Sequence, residues 1–220
     1  MTSRTTAPFG SPLPPLRFSV IAVTCLCAFA LLALVVANGS SPYGFEDPVF
    51  TWLGAPSTTA TWANLAELLA TPAICVALVI SVVLGMARRG LPRVVVYAAI
   101  AGTAFVISEH VAKPLVQRSY YGELTFPSGS VTAVCATTLA MCLALYPLLG
   151  KRARVVQFVI SGAWTLLLAL AVVGALWHTP LDDLGSILLS IGIVSGGAAV
   201  FEHVASRRTR SRNGCAKVGR

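Results

Sequence analysis

Residues 155–182 read VVQFVISGAWTLLLALAVVGALWHTPLD. From 155 to 177 no side chain is charged. A helix needs about 20 such residues to cross a hydrocarbon core, so the stretch is a membrane span. It stops at His178, with Asp182 four residues further on. Apolar runs of similar length lie at about 18–37, 65–86, 92–112, 131–149 and 184–201. Together they predict an all-α integral membrane bundle of six transmembrane helices.

The composition agrees. The chain of 220 residues is 56% apolar and 11% charged, more apolar surface than a water-soluble domain of this size can hide. The spans fill the sequence, and no internal repeat is visible. Residues 1–16, rich in Pro, Ser and Thr, read as a disordered cytoplasmic tail. Residues 17–205 form one six-span membrane domain, and 206–220 a basic cytoplasmic tail. The first run exceeds the roughly 7–15 residues of a signal-peptide core and reads as a retained signal anchor. Phe45, Phe50, Trp52 and Trp62 in the loop region 38–64 suit an aromatic belt at the membrane interface; the alternative is a lid that grips a lipid tail.

The net charge of +8 does not point to nucleic acid, because the cations report topology. Arg4 and Arg17 precede the first span, and Arg88, Arg89 and Arg93 lie between the second and third. Lys151, Arg152 and Arg154 lie between the fourth and fifth, and the rest follow the sixth. Of the 16 lysines and arginines, only Lys113 and Arg118 fall on the other side. Positive charge favours the cytoplasm, so both termini are expected inside. The protein is then a multi-pass cell-membrane protein with Lys113 and Arg118 on the extracytoplasmic face. The cysteines show no metal spacing: Cys25, Cys27, Cys75, Cys135 and Cys142 lie in spans and Cys215 in the tail.

Three stretches gather on that outer face. In the first, Lys113-Pro-Leu-Val-Gln-Arg118, Lys offers a point charge and Arg a planar fork for phosphate oxygens; snorkelling anchors are the alternative. Glu109 precedes Lys113 by one helical turn, in the favourable order for an ion pair, and His110 follows it. In the second, Pro127-Ser128-Gly129-Ser130, a helix start offers free N–H groups to an anion, or Ser128 or Ser130 simply caps the helix. In the third, Thr179, Pro180 and Asp182 fit an ordinary helix start. They leave His178 unexplained. His178 suits a nucleophile, with Asp182 fixing its tautomer.

In their order and helix-end placement these stretches resemble the type 2 phosphatidic acid phosphatase family of membrane lipid phosphatases. The family pattern is Lys, six residues, Arg-Pro; then Pro-Ser-Gly-His; then Ser-Arg, five residues, His, three residues, Asp. The resemblance covers about 109–186 and, through the six-span layout, most of the chain. It implies that Lys113 and Arg118 bind phosphate oxygens, assisted by Ser128, the Gly129 backbone and Ser130. It implies that His178 attacks phosphorus to give a phosphohistidine, and that Asp182 orients it. It implies no metal and no cofactor. The mouth is expected from spans three to six, with spans one and two shielding it.

The sequence also departs from the pattern. Four residues, not six, separate Lys113 from Arg118, and Ser119 stands where Pro is expected. Ser130 replaces the His that protonates the leaving group in the family, and Ala171-Val172 stand at the Ser-Arg positions. An alkoxide leaves poorly without a proton donor, whereas a phosphate leaves as a stable anion. Losing a general acid costs about 10²–10⁴-fold. The expectation is therefore a phosphatase that prefers a prenyl diphosphate to a phosphate monoester, with His110 as a possible substitute acid. The alternative is a weak or inactive relative that binds or transports lipid phosphates.

Overall fold

The computed structural model describes residues 13–39, 42–53, 58–120 and 122–218. Most of the tail expected at 1–16 lies outside them. The elements run α1 (Pro15–Val36), α2 (Asp47–Leu53), α3 (Thr59–Ala87), α4 (Leu91–Ile107), a π-helical turn (Ser108–Ala112) and α5 (Lys113–Val116). A two-stranded hairpin of β1 (Ser119–Tyr120) and β2 (Glu123–Leu124) follows, then α6 (Gly129–Leu145), α7 (Lys151–Gly174) and α8 (Pro180–Val218). Six helical segments are long and apolar enough to cross a membrane: α1, α3, α4 through α5, α6 with its short continuation, α7 and the first part of α8. The fold is an all-α membrane bundle, as expected. The segment read as a basic tail continues α8 as helix to Val218.

Helix α6 is the hub. Its most apolar window is 72% buried, against 11% for α1. The reason lies in its sequence, GSVTAVCATTLAMCLAL, which is mostly small. Small side chains let neighbouring backbones approach closely where lipid supplies no hydrophobic drive between helices. Thr132 and Thr138 return their hydroxyls to the carbonyls of Ser128 and Val134, which removes their polarity from the packing surface. Helices α3, α4, α7 and α8 surround α6, and α1 lies along α8. Gly192 of α8 sits against Leu26 of α1, where a β-carbon would collide with the leucine side chain. Toward lipid α1 exposes Leu16, Val20, Leu31, Leu34 and Val35.

At one end of the bundle lie Arg88 and Arg89, after α3, and Lys151 and Arg152, in the first turn of α7. Arg93, expected with them in a loop, lies instead in the first turn of α4 and points inward. It pairs with Glu202 of α8 at 2.6 Å and donates to the carbonyl of Leu143. A buried Arg needs such a partner, because an unpaired charge there is costly. At the other end α2 exposes Trp52, while Trp62 turns in, donates to the Leu53 carbonyl at 3.0 Å and packs on Gly174.

Candidate active site

All three polar stretches meet at that second end. The chain leaves α4 through the π-helical turn at Ser108–Ala112, which reorients the residues after it. Such turns often occur at functional sites. Helix α5 stops at Gln117, whose left-handed φ of 54° turns the chain out. The hairpin then leads to Thr125, a cis Phe126–Pro127 peptide and the start of α6. Between α7 and α8 the turn is tight, with Leu176 at φ 61°.

The start of α8 is a capping box. The backbone N–H of Thr179 donates to Asp182 Oδ2 at 2.9 Å, and that of Asp182 to Thr179 Oγ1 at 3.3 Å. The other oxygen of Asp182 accepts from Arg118 Nη1 at 3.0 Å. Arg118 Nη2 donates to Glu46 Oε2 at 2.9 Å, and Glu46 also accepts from the N–H groups of Tyr43 and Leu181. Glu46, Arg118 and Asp182 are each at most 1% exposed. This network ties the loop before α2, the end of α5 and the start of α8 into one frame.

Two expected residues stand in a different geometry. Two carboxylates occupy the Arg118 fork, and Arg118 is not among the residues that line the cavity. Asp182 does not hold the His178 ring by a hydrogen bond, since its Oδ2 stands 3.9 Å from Nδ1. The carbonyl of Thr125 takes that bond, at 3.0 Å. A carbonyl oxygen only accepts, so Nδ1 carries the proton and Nε2 keeps its lone pair. Burial, and then the charge of Lys113, push the His178 pKa down to about 4, against the opposing effect of the Thr125 carbonyl. At neutral pH the ring is uncharged.

His178 lines a cavity of about 610 Å³ together with Glu109, Lys113, Gly129 and Ser130. Lys113 Nζ pairs with Glu109 Oε1 at 2.8 Å. The Glu109 carboxylate lies so close to Gly129 that a β-carbon there would collide with it, and Lys113 Nζ would stand 3.7 Å from that carbon. Gly129 is the first residue of α6, and Ser128 before it forms no side-chain cap. The uncapped start of a helix, a cation and a glycine therefore converge on one spot.

Below this polar end the cavity is apolar. Its walls are mainly Ala70, Ile74 and Leu78 of α3, Ala98, Gly102 and Phe105 of α4, and Ala133 of α6, with the hydroxyl-bearing Thr71 and Thr137 among them. From Ala98 to Lys113 it follows roughly 20 Å of helix, at 1.5 Å per residue. Phe105, on this wall, is exposed. The second span, expected only to shield the mouth, forms one of its walls.

The remaining expected site residues divide. Ser130 lines the cavity. Ser128 is buried and is not among the residues that line the cavity. His110, the suggested substitute acid, is exposed and not on the cavity wall. Ala171 and Val172 are fully buried against Val131, Val134 and Leu168, so the absent arginine is replaced by core packing. Sequence reasoning missed Thr125 and Glu46. Thr125 acts through its backbone, which carries no residue-type signal. Glu46, an acidic residue between Phe45 and Asp47 in an aromatic loop, offered only its sign.

No family model and no curated protein matches the sequence. Among solved structures, the chain is similar to a transmembrane PAP2-type phosphatidylglycerolphosphate phosphatase from Bacillus subtilis. The TM-score is 0.63 at 16% identity, covering 84% of this chain and 96% of that one. The chain thus has a PAP2-type transmembrane fold.

Proposed function

We propose that this protein is a membrane phosphatase that hydrolyses a lipid phosphate or diphosphate through a phosphohistidine on His178. One observation carries the reading. An uncharged histidine, with Nδ1 held by the Thr125 carbonyl, faces the same cavity as Lys113 and the start of α6. Nε2 is then the nitrogen left to attack phosphorus. The shape of the cavity supports a lipid substrate, because a polar end continues into an apolar groove.

In this reading Lys113 and the N–H groups at Gly129 hold the phosphoryl oxygens. Nε2 attacks phosphorus and the bond to the leaving group breaks. The proton on Nδ1 stays with the Thr125 carbonyl, so the phosphorylated ring is a cation that later departs as neutral imidazole. Water then attacks phosphorus, releases phosphate and restores His178. Asp182 contributes through the frame it shares with Arg118 and Glu46. With Ser130 at the cavity wall in place of a histidine, a leaving group that needs no proton is favoured, hence a prenyl diphosphate over a monoester. The cation distribution supports an extracytoplasmic placement for this end of the bundle.

The test is phosphate release by the purified protein in lipid nanodiscs, with a prenyl diphosphate, a prenyl monophosphate and phosphatidic acid as substrates. Release abolished by His178→Ala supports the reading; no release above that variant on any substrate overturns it. A second reading, a binder or transporter of lipid phosphates, is favoured by one feature: the Lys113 cation already carries an internal partner, Glu109. Binding that persists in His178→Ala without turnover in the parent protein would establish it.

A further inference from the structure

Glu109 is the one carboxylate on the cavity wall among the described residues. The π-helical turn that contains it ends immediately before Lys113. Its side chain is 26% exposed, and it lies against Gly129, where the phosphoryl group of the proposed reaction would sit. Its carboxylate is paired with Lys113 Nζ at 2.8 Å. Ser130 and the ring of His178 face the same space, and neither is a competent base once the ring carries phosphate.

We infer that Glu109 is the general base of the second half-reaction, taking a proton from the water that hydrolyses phosphohistidine 178. The inference rests on the phosphatase reading above. In the step, the water oxygen forms a bond to phosphorus and the phosphorus–Nε2 bond breaks. Its electron pair returns to Nε2, and one water proton moves to the Glu109 carboxylate. Inorganic phosphate leaves, and Glu109 returns its proton to solvent. Before this step, when phosphate occupies the helix start, Lys113 exchanges its partner from Glu109 to the phosphoryl oxygens. The freed carboxylate moves aside from the start of α6 to admit the phosphoryl group and stays on the same cavity wall, facing a water that approaches phosphorus. The first half-reaction needs no acid when the leaving group is itself a phosphate, so this base and the diphosphate preference belong together.

A purely structural Glu109, present only to hold Lys113, makes a different prediction. Its loss would slow formation of the phosphoenzyme, whereas loss of a base slows breakdown. The experiment uses the full chain in nanodiscs with farnesyl diphosphate labelled on its terminal phosphate. With Glu109→Gln, farnesyl monophosphate is expected in a rapid burst of about one per protein, followed by turnover slower by about 10²-fold. Label should stay on the protein as an alkali-stable, acid-labile phosphoramidate, absent when His178→Ala is added. Glu109→Asp, which keeps the carboxylate, should restore part of the steady rate. The burst itself shows that the variant is folded. The inference is overturned if Glu109→Gln turns over near the parent rate, or if it slows without burst or retained label. If the parent protein releases no phosphate, the phosphatase reading fails, and this inference with it.

Discussion

The carbonyl oxygen of Thr125 stands 3.0 Å from Nδ1 of His178. It settles which nitrogen of the ring is free. The ring's hydrogen bond thus goes to the segment leading to α6, while the Asp182 carboxylate is engaged by Thr179 and Arg118. The residue pattern of a His followed by an Asp is present, but the contact that fixes the tautomer comes from a backbone atom 53 residues upstream.

The first prediction concerns the titration of that ring. Its pKa of about 4 lies below the ordinary 6.5, so the unfolded chain binds the proton more readily than the folded one. The associated stability is complete above pH 6.5 and is lost as the pH falls through that range toward 4. For the proposed reaction, kcat/KM should hold at neutral and mildly acid pH and fall only as the pH drops through about 4. An acid limb near 6.5 would contradict the buried, uncharged ring. Because Lys113 is one cause of the lowering, Lys113→Gln should raise the titration midpoint of His178, read by NMR of the labelled ring.

A second prediction separates Arg118 from Lys113. Arg118 lies between Glu46 and Asp182 with all three side chains buried. Removing one member leaves uncompensated charge, which costs about 3–5 kcal/mol. Glu46→Ala and Arg118→Leu should both lower the thermal unfolding midpoint in nanodiscs. Lys113→Gln, whose side chain is 16% exposed, should barely move it while weakening phosphate binding. An Arg118 variant with unchanged stability and a selective rise in KM would restore the role its sequence position suggested.

These two cations show where the sequence could and could not be read. The six spans were visible because hydrocarbon thickness imposes a length and excludes charge, and both constraints act on residue type. The gathering of Lys113, Gly129 and His178 was visible for the same reason: alternating spans force their loops to one end. What each polar group touches was not visible. Arg118 and Lys113 are equally cationic in sequence, and only packing reveals that Glu46 pairs with one of them. His110 and Glu109 are adjacent in sequence, and in the structure only Glu109, of the two, reaches the cavity wall. Val172 looked like a lost ligand, and in the structure that position belongs to the contact between α3, α6 and α7.

Ser130 supplies a gain-of-function test. It lines the cavity in the turn after Gly129, where an imidazole would reach a departing oxygen. Ser130→His should raise hydrolysis of a prenyl monophosphate by about 10²-fold, the lower end of general-acid effects. Hydrolysis of the diphosphate should change little. The ratio of the two rates is the measurement, and it cancels differences in protein quality. Equal effects on both substrates would mean that leaving-group protonation does not set the preference.

The last prediction tests the anion cradle directly. At Gly129 an added β-carbon meets the Glu109 carboxylate first and Lys113 Nζ next. Neither is backbone, so Gly129→Ala should fold, since alanine is at least as good a helix former as glycine. The cost falls on geometry. Glu109 must withdraw from the start of α6, Lys113 must follow or lose its partner, and the methyl group takes space a phosphoryl oxygen would use. A displacement of about 1 Å at a reacting centre costs about 10²-fold in rate. Gly129→Ala should therefore lose turnover on that scale while its unfolding midpoint stays level or rises. Gly102, where a β-carbon meets nothing within 4 Å, provides the comparison: Gly102→Ala touches the apolar part of the cavity and should leave phosphate binding intact. If both variants behave alike, the close approach at Gly129 is a packing detail and the phosphoryl group lies elsewhere in the cavity.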